Sequence, residues 1–208
     1  MARYKDVIET TEQFRSIMGD PIELVTRKTL SHLDRHCGVF IERSPFVLLA
    51  SSDTDGNFDV SPKGDPEGFV KIMDKHTLAI PDRPGNRRAD SIENILHNPK
   101  VGLIFLIPGK TETLRISGTA KIVRDTDLRT SMAVRGRSPE FVIVVEVVEA
   151  FFHCSKCMIR SKLWQPDHWP SLEGLPRLAE TMVDAGKLEL SESELHTLVM
   201  NDEVERLY

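Results

Sequence analysis

The chain has 208 residues, 40% hydrophobic and 28% charged, with a formal net charge of −5, so it can bury one full core and has no global attraction to nucleic acid. Its three cysteines are too few for a disulfide framework, no apolar signal sequence begins it, and no apolar stretch approaches the roughly 20 residues of a membrane span. We therefore expect residues 1–208 to form a single cytoplasmic domain that binds neither nucleic acid nor a membrane.

Residues 1–45 predict a polar, helical lead-in to the domain. Thr11 is a suitable N-cap for a short helix with one apolar side, and Gly19 and Pro21 would end that helix. A second short helix is possible over 26–35.

Residues 46–155 have the pattern of β-structure and are expected to form a mainly β core. Six strands are expected at 46–52, 58–64, 76–82, 101–108, 113–125 and 141–154. Asp53 and Gly56 mark a hairpin turn between the first two strands, and Pro62 confines the second strand to an edge or a bulge. The last strand is apolar on both faces, so we expect the core to cover one face and another subunit the other. Six short antiparallel strands favour a closed or nearly closed barrel over a parallel sheet.

Helices are expected between and after these strands. An apolar stripe of helical spacing lies within 89–99, and a second short helix is expected near 126–134. Residues 156–208 predict an acidic helical flank, rich in leucine and glutamate, that packs on the barrel.

The densest group of cations lies where a strand gives way to a helix. Arg83, Arg87 and Arg88 fall within six positions, around Gly85 and Asn86. A glycine-containing loop that leads into a helix N-terminus offers free backbone N–H groups, and guanidinium groups beside it suit a phosphate monoester. A solvated basic turn is the alternative interpretation.

Two further polar pairs lie on predicted strands. Ser61 and Lys63 are two residues apart, so they point to the same face of a strand and suit an anion. Arg115 lies on the polar face of 113–125, in phase with Thr113. Each of these residues is also common as an ordinary surface residue of a strand.

The segment after the last strand contains two more candidates. Cys154 and Cys157 stand beside a histidine, but no second cysteine pair completes the four ligands of a zinc site, so no metal is expected. Arg160 and Trp164 are four residues apart on a predicted helix and would form an edge for a planar heterocycle. The alternative is a tryptophan that anchors this helix on the barrel.

Three segments together resemble a known family. Residues 44–65 contain a strand, a turn with Asp-Gly and a returning strand. Residues 76–109 contain a basic loop and a helix between two strands, and residues 112–122 contain a long strand with a central glycine. This combination resembles the pyridoxamine 5′-phosphate oxidase-like, FMN-binding split-barrel family over about residues 38–155. The lead-in, residues 59–65 and residues 153–164 further resemble a bacterial branch of flavin-nucleotide-binding proteins, and that resemblance extends through most of the chain.

The resemblance implies a six-stranded antiparallel Greek-key split barrel that forms a homodimer, with FMN in two grooves at the subunit interface. The Gly-Ser-Arg-Lys stretch that holds the FMN phosphate in the oxidase matches residues 85–88, which keep both cations and replace the hydroxyl with an amide. Lys63 matches the lysine of a second oxidase motif, whose arginine is missing here. Thr113 aligns near a glutamine that faces the flavin ring, and Arg115 is a plausible substitute donor.

The C-terminal signature by which the oxidase holds its vitamin B6 substrate has no clear match, so FMN binding carries over and vitamin B6 oxidation does not. We expect an FMN-dependent oxidoreductase that transfers electrons between a reduced nicotinamide or similar donor and a small acceptor. A non-catalytic FMN carrier or sensor is the alternative, and a haem-binding split barrel with His153 or His76 as axial ligand is a third possibility. The residues expected to bind FMN are Ser61, Lys63, Arg83, Asn86, Arg87, Arg88, Thr113, Arg115, Arg160 and Trp164.

Overall fold

One antiparallel sheet of seven strands forms the centre of the fold in the computed structural model, which describes residues 4–208. The strands are β1 (Phe46–Ser52), β2 (Phe58–Gly64), β3 (Lys71–Asp74), β4 (Thr77–Asp82), β5 (Lys100–Leu106), β6 (Thr113–Val123) and β7 (Phe141–His153). Their order across the sheet is β2-β1-β5-β6-β7-β4-β3, and each pair of neighbours is antiparallel. The first three residues of the expected lead-in lie outside the described residues.

The six expected strands are all present, and the short strand β3 is one more than the sequence predicts. Pro62 lies in β2, which is an edge strand, where a missing backbone N–H leaves no ladder bond unmade. The two edge strands, β2 and β3, are not joined by a backbone ladder within residues 4–208. The sheet is therefore antiparallel and seven-stranded, and a closed six-stranded barrel is not confirmed.

Along the chain, helices precede the first strand, lie between strands and follow the last strand. They are α1 (Thr11–Met18), α2 (Glu23–Thr26), α3 (Arg35–Arg43), α4 (Asp90–His97), α5 (Thr126–Ser131), α6 (Lys156–Ser161), α7 (Leu178–Gly186) and α8 (Glu192–Glu205). The two helices expected within the sheet region are present as α4 and α5, and α7 packs against α8 in the C-terminal flank. None of the helices in the described part of the chain is long and apolar enough to cross a membrane.

The prediction of a helix over 26–35 is wrong. Within that segment Leu30 forms an isolated bridge with Ala150, in which each backbone N–H donates to the other's carbonyl oxygen at 2.9 and 2.8 Å. A helix begins only after Asp34, whose carboxylate accepts the backbone N–H of Cys37 at 2.8 Å. Pairing with β7 therefore overrides the local helical preference, and the N-cap sets the start of α3.

The N-cap of α1 is Thr10, one residue before the expected Thr11. Thr10 and Gln13 form a reciprocal capping box, in which each side chain accepts a backbone N–H of the other residue. Gly19 ends the helix with φ 74°, as expected.

The core lies between one face of the sheet, α3 and α4. Its largest fully buried side chains include Phe105, Ile41, Leu49, Leu78, Ile80, Leu103, Leu114 and Ile143. Along β6 the buried residues follow the alternation expected from the sequence. The register with β7 shifts opposite Ser117 and Gly118, where Val148 is the extra residue of a bulge in β7. In this sheet β1 and β5 are interior strands, β6 is the central one, and β2 lies at the edge.

The face of β2 that points away from the core carries an exposed apolar surface. Phe58 is 81% exposed and Val60 58% exposed, and Pro62 follows them on the same face. Leu48 pairs with Pro62 and also with Ile104, so the apolar surface continues across β1 to β5. We call these five residues the outer apolar surface; such a contiguous patch is typical of an interaction site.

Candidate functional site

A cleft of about 1140 Å³ brings together most of the polar residues expected at the site. Residues 59–64 of the β2 edge form one wall, and 81–92, from the end of β4 into α4, form the second. Phe69 and segments 137–141 and 206–208 complete the lining. Six of the ten predicted FMN-binding residues line this cleft: Ser61, Lys63, Arg83, Asn86, Arg87 and Arg88.

The alternation of β2 turns Ser61 and Lys63 to the cleft side, as the sequence predicts. Lys63 Nζ lies 3.1 Å from Asp82 Oδ1 at the end of β4, and both side chains are about one-fifth exposed. Because β2 and β4 are not neighbours in the sheet, this ion pair connects two distant strands across the cleft. The ammonium group is thereby held in place at the cleft wall.

The loop between β4 and α4 has an unusual backbone. Arg87 and Ala89 have φ values of 63° and 59°, a left-handed conformation that costs a non-glycine residue about 1–3 kcal/mol. Ala89 is the N-cap of α4, and no side chain caps the helix there. The first N–H groups of α4 are therefore available to an acceptor from outside the helix.

The cations of the loop differ in their partners. Arg88 Nε lies 2.5 Å from Asp90 Oδ2, and its backbone N–H donates to Asn86 Oδ1 at 3.0 Å. Arg87 is exposed and forms no ion pair with any residue of 4–208. Arg87 is thus a guanidinium at the cleft that forms no ion pair with a carboxylate of the described residues.

Hydrogen bonds from α4 to the sheet fix the position of this loop. Ser91 Oγ donates to Asp59 Oδ2 of β2 at 2.6 Å, and Asn94 donates to Ser51 Oγ of β1 at 3.2 Å. With α4 fastened to two strands, the loop that precedes it cannot move freely relative to β2.

Arg83 lies at the cleft but is engaged within the protein. Its Nε donates to Asp65 Oδ2 at 2.6 Å and its terminal nitrogen donates to the Met132 carbonyl oxygen at 3.0 Å. The Arg83 side chain is 14% exposed and that of Asp65 is fully buried. This pair is a buried salt bridge, so Arg83 supports the cleft wall through Asp65.

Tyr208 completes this arrangement. Its hydroxyl donates to Asp65 Oδ1 at 2.9 Å, and this hydrogen bond raises the pKa of the phenol. The guanidinium carbons of Arg83 and Arg135 lie 5.7 and 5.2 Å from its ring centroid, and Arg137 donates to its carbonyl oxygen. Nothing in the local sequence around Asp65 or Tyr208 indicates these contacts, since 143 residues separate the two.

Thr113 and Arg115, two of the remaining predicted residues, lie away from the cleft. Thr113 is buried in β6, opposite His153 of β7. The Arg115 guanidinium lies 5.2 Å from the ring centroid of Phe151, on the opposite face of the sheet from the core. One chain alone therefore does not bring these residues to the cleft.

Arg160 and Trp164 also lie outside the cleft, and the prediction that they share one side of a helix is wrong. Helix α6 ends at Ser161, and Lys162 follows with a left-handed φ of 51°. Trp164 Nε1 instead donates to the Lys110 carbonyl oxygen at 2.8 Å, between β5 and β6. This bond anchors the segment after α6 on the sheet.

The three thiols differ in accessibility, which predicts their reactivity. Burial raises the pKa of Cys37 to about 11, whereas Cys154 and Cys157 are exposed. We expect iodoacetamide at pH 8 to alkylate the native protein at Cys154 and Cys157 and to leave Cys37 unmodified, as measured by mass spectrometry of tryptic peptides. In urea all three cysteines should react; alkylation of native Cys37 at the rate of Cys154 would contradict this expectation.

Comparison with known proteins gives one family and a set of similar folds. The model of the family described as pyridoxamine 5′-phosphate oxidase matches residues 33–154, and no curated protein matches the chain. Among solved structures, the Group A Streptococcus protein HupZ is 18% identical with a TM-score of 0.48, over 58% of this chain and 93% of HupZ. A Lactobacillus delbrueckii protein, named as a candidate pyridoxamine 5′-phosphate oxidase, is 26% identical with a TM-score of 0.47, over 59% and 95%. An FMN-binding protein from Syntrophomonas wolfei is 9% identical with a TM-score of 0.42, over 56% and 88%.

Proposed function

The chain belongs to the pyridoxamine 5′-phosphate oxidase-like, FMN-binding split-barrel family, and on that premise we propose that it is an FMN-dependent oxidoreductase. We propose that it acts in the cytoplasm and transfers electrons between a reduced nicotinamide or similar donor and a small acceptor. The observation that carries the proposal is the cleft, where a basic loop, an uncapped helix N-terminus and two polar β2 residues meet. FMN, when bound, would supply the redox chemistry, and the protein would supply position and charge.

The donors of the cleft fit the phosphate of FMN. Arg87 has no carboxylate partner within the described chain, and Arg88 and Lys63 each have one that a dianionic phosphate can replace. Asn86 and the first N–H groups of α4 add neutral donors. Each charge-assisted hydrogen bond contributes about 1.5–3 kcal/mol, so the two loop arginines alone can account for a large share of the affinity.

Ser61 and Lys63 suit either the phosphate or the polar edge of the flavin ring. A cation at that edge stabilises the negative charge of the reduced flavin. The Lys63 ammonium is partly withdrawn from solvent beside Asp82, which strengthens its interaction with a bound anion relative to a fully hydrated lysine. Arg83 would hold the wall behind them through Asp65.

We further propose a homodimer in which the outer apolar surface is covered by the partner subunit. The exposed Phe58 and Val60 support this proposal, because a solvated pair of this kind at a sheet edge is costly. Arg115 lies on the same face of the sheet as this surface, with Thr113 in phase along β6. Thr113 and Arg115 would then contribute to the FMN site of the partner, at the subunit interface. Arg160 and Trp164 stay predictions as FMN-binding residues.

The absorption spectrum of the purified protein tests the proposal. We expect the two visible bands of oxidised flavin, FMN in the released ligand by mass spectrometry, and loss of the bands on anaerobic addition of NADH or NADPH. A colourless protein that binds no added FMN would contradict the proposal as a whole, and a Soret band would identify a haem protein instead. Flavin bands that no donor bleaches would indicate a non-catalytic FMN carrier and contradict the proposed oxidoreductase activity.

The double variant Arg87→Ala with Arg88→Ala is expected to weaken FMN binding by at least about tenfold, because two charge-assisted bonds to the phosphate are lost. The dissociation constant is measured by quenching of flavin fluorescence at fixed ionic strength. The control, Arg15→Ala with Arg27→Ala, removes the same charge from the exposed lead-in and should leave the constant unchanged. Equal affinity of the loop variant and the control would show that the phosphate binds elsewhere.

A further inference from the structure

The segment after α8, Arg206–Tyr208, forms part of the lining of the same cleft as the basic loop. We call these three residues the Tyr208 segment. Tyr208 is held through its hydroxyl by Asp65, through its ring by Arg83 and Arg135, and through its carbonyl oxygen by Arg137. Three parts of one residue therefore contact separate segments of the chain, and two of the four partners, Arg83 and Arg137, line the cleft.

Asp65 is the buried carboxylate to which both Arg83 and Tyr208 are hydrogen-bonded. Its side chain is fully buried, and its two oxygens have different partners, since Oδ2 accepts from Arg83 Nε and Oδ1 from the Tyr208 hydroxyl. Arg83 remains paired when Tyr208 leaves, because its bond to the other oxygen does not depend on the phenol. The carboxylate can thus hold the cleft wall in place whether or not Tyr208 is bound.

The Tyr208 segment is attached to the rest of the protein more loosely than the cleft wall is. In α8, Leu195 is the only buried residue that the helix contributes, and the helix packs on α7. Val204, one turn before Tyr208, is 78% exposed. Arg206 is bound to Asp202 of the same helix, so beyond that residue the position of the segment relative to the cleft depends on the contacts that Tyr208 itself makes.

We propose that Tyr208 determines access to the cleft, closing one end of it while the phenol is bound to Asp65 and opening that end when the phenol leaves. The inference rests on the proposed function, in that the occupant of the cleft is FMN. In the closed form Tyr208 covers Arg83 and encloses the bound cofactor on that side of the cleft. In the open form that side of the cofactor is exposed to solvent, and the cofactor itself exchanges faster.

The first test needs no cofactor. Phenylglyoxal modifies accessible arginines, and mass spectrometry gives the rate at Arg83 in the protein as purified. Tyr208→Ala is expected to raise that rate severalfold, because it removes the ring that covers the Arg83 guanidinium. Tyr208→Phe keeps the ring over Arg83 without the bond to Asp65 and should give an intermediate rate.

The control is Val204→Ala, which shortens an exposed apolar side chain of the same helix and should leave the rate at Arg83 unchanged. An Arg83 rate in Tyr208→Ala equal to that of the wild type would overturn the inference. Because Tyr208→Phe retains the size and the ring of the native side chain, it keeps the test decisive if the alanine variant folds poorly.

The second test uses the FMN-loaded protein and the neutral quencher acrylamide. Tyr208→Ala is expected to increase quenching of flavin fluorescence and the rate of FMN release, each by about threefold or more, in the order alanine, phenylalanine, wild type. Unchanged quenching in a variant whose Arg83 has become reactive would overturn the role of Tyr208 toward the cofactor. If the wild type binds no FMN while Tyr208→Ala still exposes Arg83, the proposed function fails, but the inference that Tyr208 covers Arg83 at the cleft is still supported.

Discussion

Replacement of Gly118 by alanine is expected to lower the free energy of unfolding by about 4 kcal/mol or to prevent folding. A Cβ atom on Gly118 would lie 2.1 Å from the Glu146 carbonyl oxygen and 3.0 Å from its carbon, much closer than non-bonded atoms approach. Both contacts are with backbone, so no rotation of a side chain relieves them.

The backbone of β7 cannot retreat from this contact. Gly118 lies opposite the bulge of β7, where the register shifts so that Ser117 faces Glu149, Gly118 faces Val147, and Val148 between them has no partner in β6. On its other side β7 pairs with β4 over six residues, from Thr77 to Asp82. Movement of β7 by the distance that a methyl group needs would break one of these two ladders.

Gly102→Ala is the matched control, since it also places a methyl group on a strand glycine. A Cβ on Gly102 would meet the Ala50 Cβ at 3.9 Å, an ordinary van der Waals contact. Urea unfolding followed by circular dichroism should therefore separate the two variants by about 3 kcal/mol or more. Similar midpoints and slopes for both would show that β7 adapts to the added methyl group.

The strands were predictable from the sequence because their signals are local. Alternation along β6 and the Asp53–Gly56 turn depend on neighbouring residues, and both are confirmed. Gly118 was recognisable as a central glycine, but the close approach of Glu146 was not, because it arises from the pairing of two strands. The extra strand β3 has only four residues, too few for a periodic pattern to indicate it.

The candidate site, like the strands, was predictable where its sequence signals are local. The basic loop is a local feature, and its position before a helix follows from the sequence. Arg88 pairs with the neighbouring Asp90, but two other cations of the cleft have carboxylate partners distant in sequence, namely Asp82 beside Lys63 and Asp65 beside Arg83, 19 and 18 residues away. Sequence spacing identifies the residues of one wall of a cleft, whereas the partners that set their charge and mobility are decided by packing.

Asp65→Ala is expected to lower the free energy of unfolding by about 3–5 kcal/mol, because it leaves the Arg83 guanidinium largely buried without a counter-charge. The same change removes the acceptor of the Tyr208 hydroxyl, so the Tyr208 segment should also detach. The free energy is measured by urea unfolding, together with the phenylglyoxal rate at Arg83.

Asp202→Ala is the control for loss of a carboxylate. Asp202 pairs with Arg206 at 2.7 Å, but both side chains are about half exposed, so the pair contributes about 0–1 kcal/mol. A destabilisation by Asp65→Ala as small as that of Asp202→Ala would show that water reaches Arg83 in the native protein.

A double-mutant cycle separates the cost of an unpaired charge from the loss of packing. If the buried guanidinium is the cause, Asp65→Ala with Arg83→Met should recover about 2 kcal/mol or more relative to Asp65→Ala alone, since no buried charge then remains. Failure of the second substitution to restore stability would assign the loss to the Tyr208 segment and to packing around Asp65. Recovery of stability without recovery of slow FMN release would show that the pair and Tyr208 have separate roles, one in the fold and the other in access to the cleft.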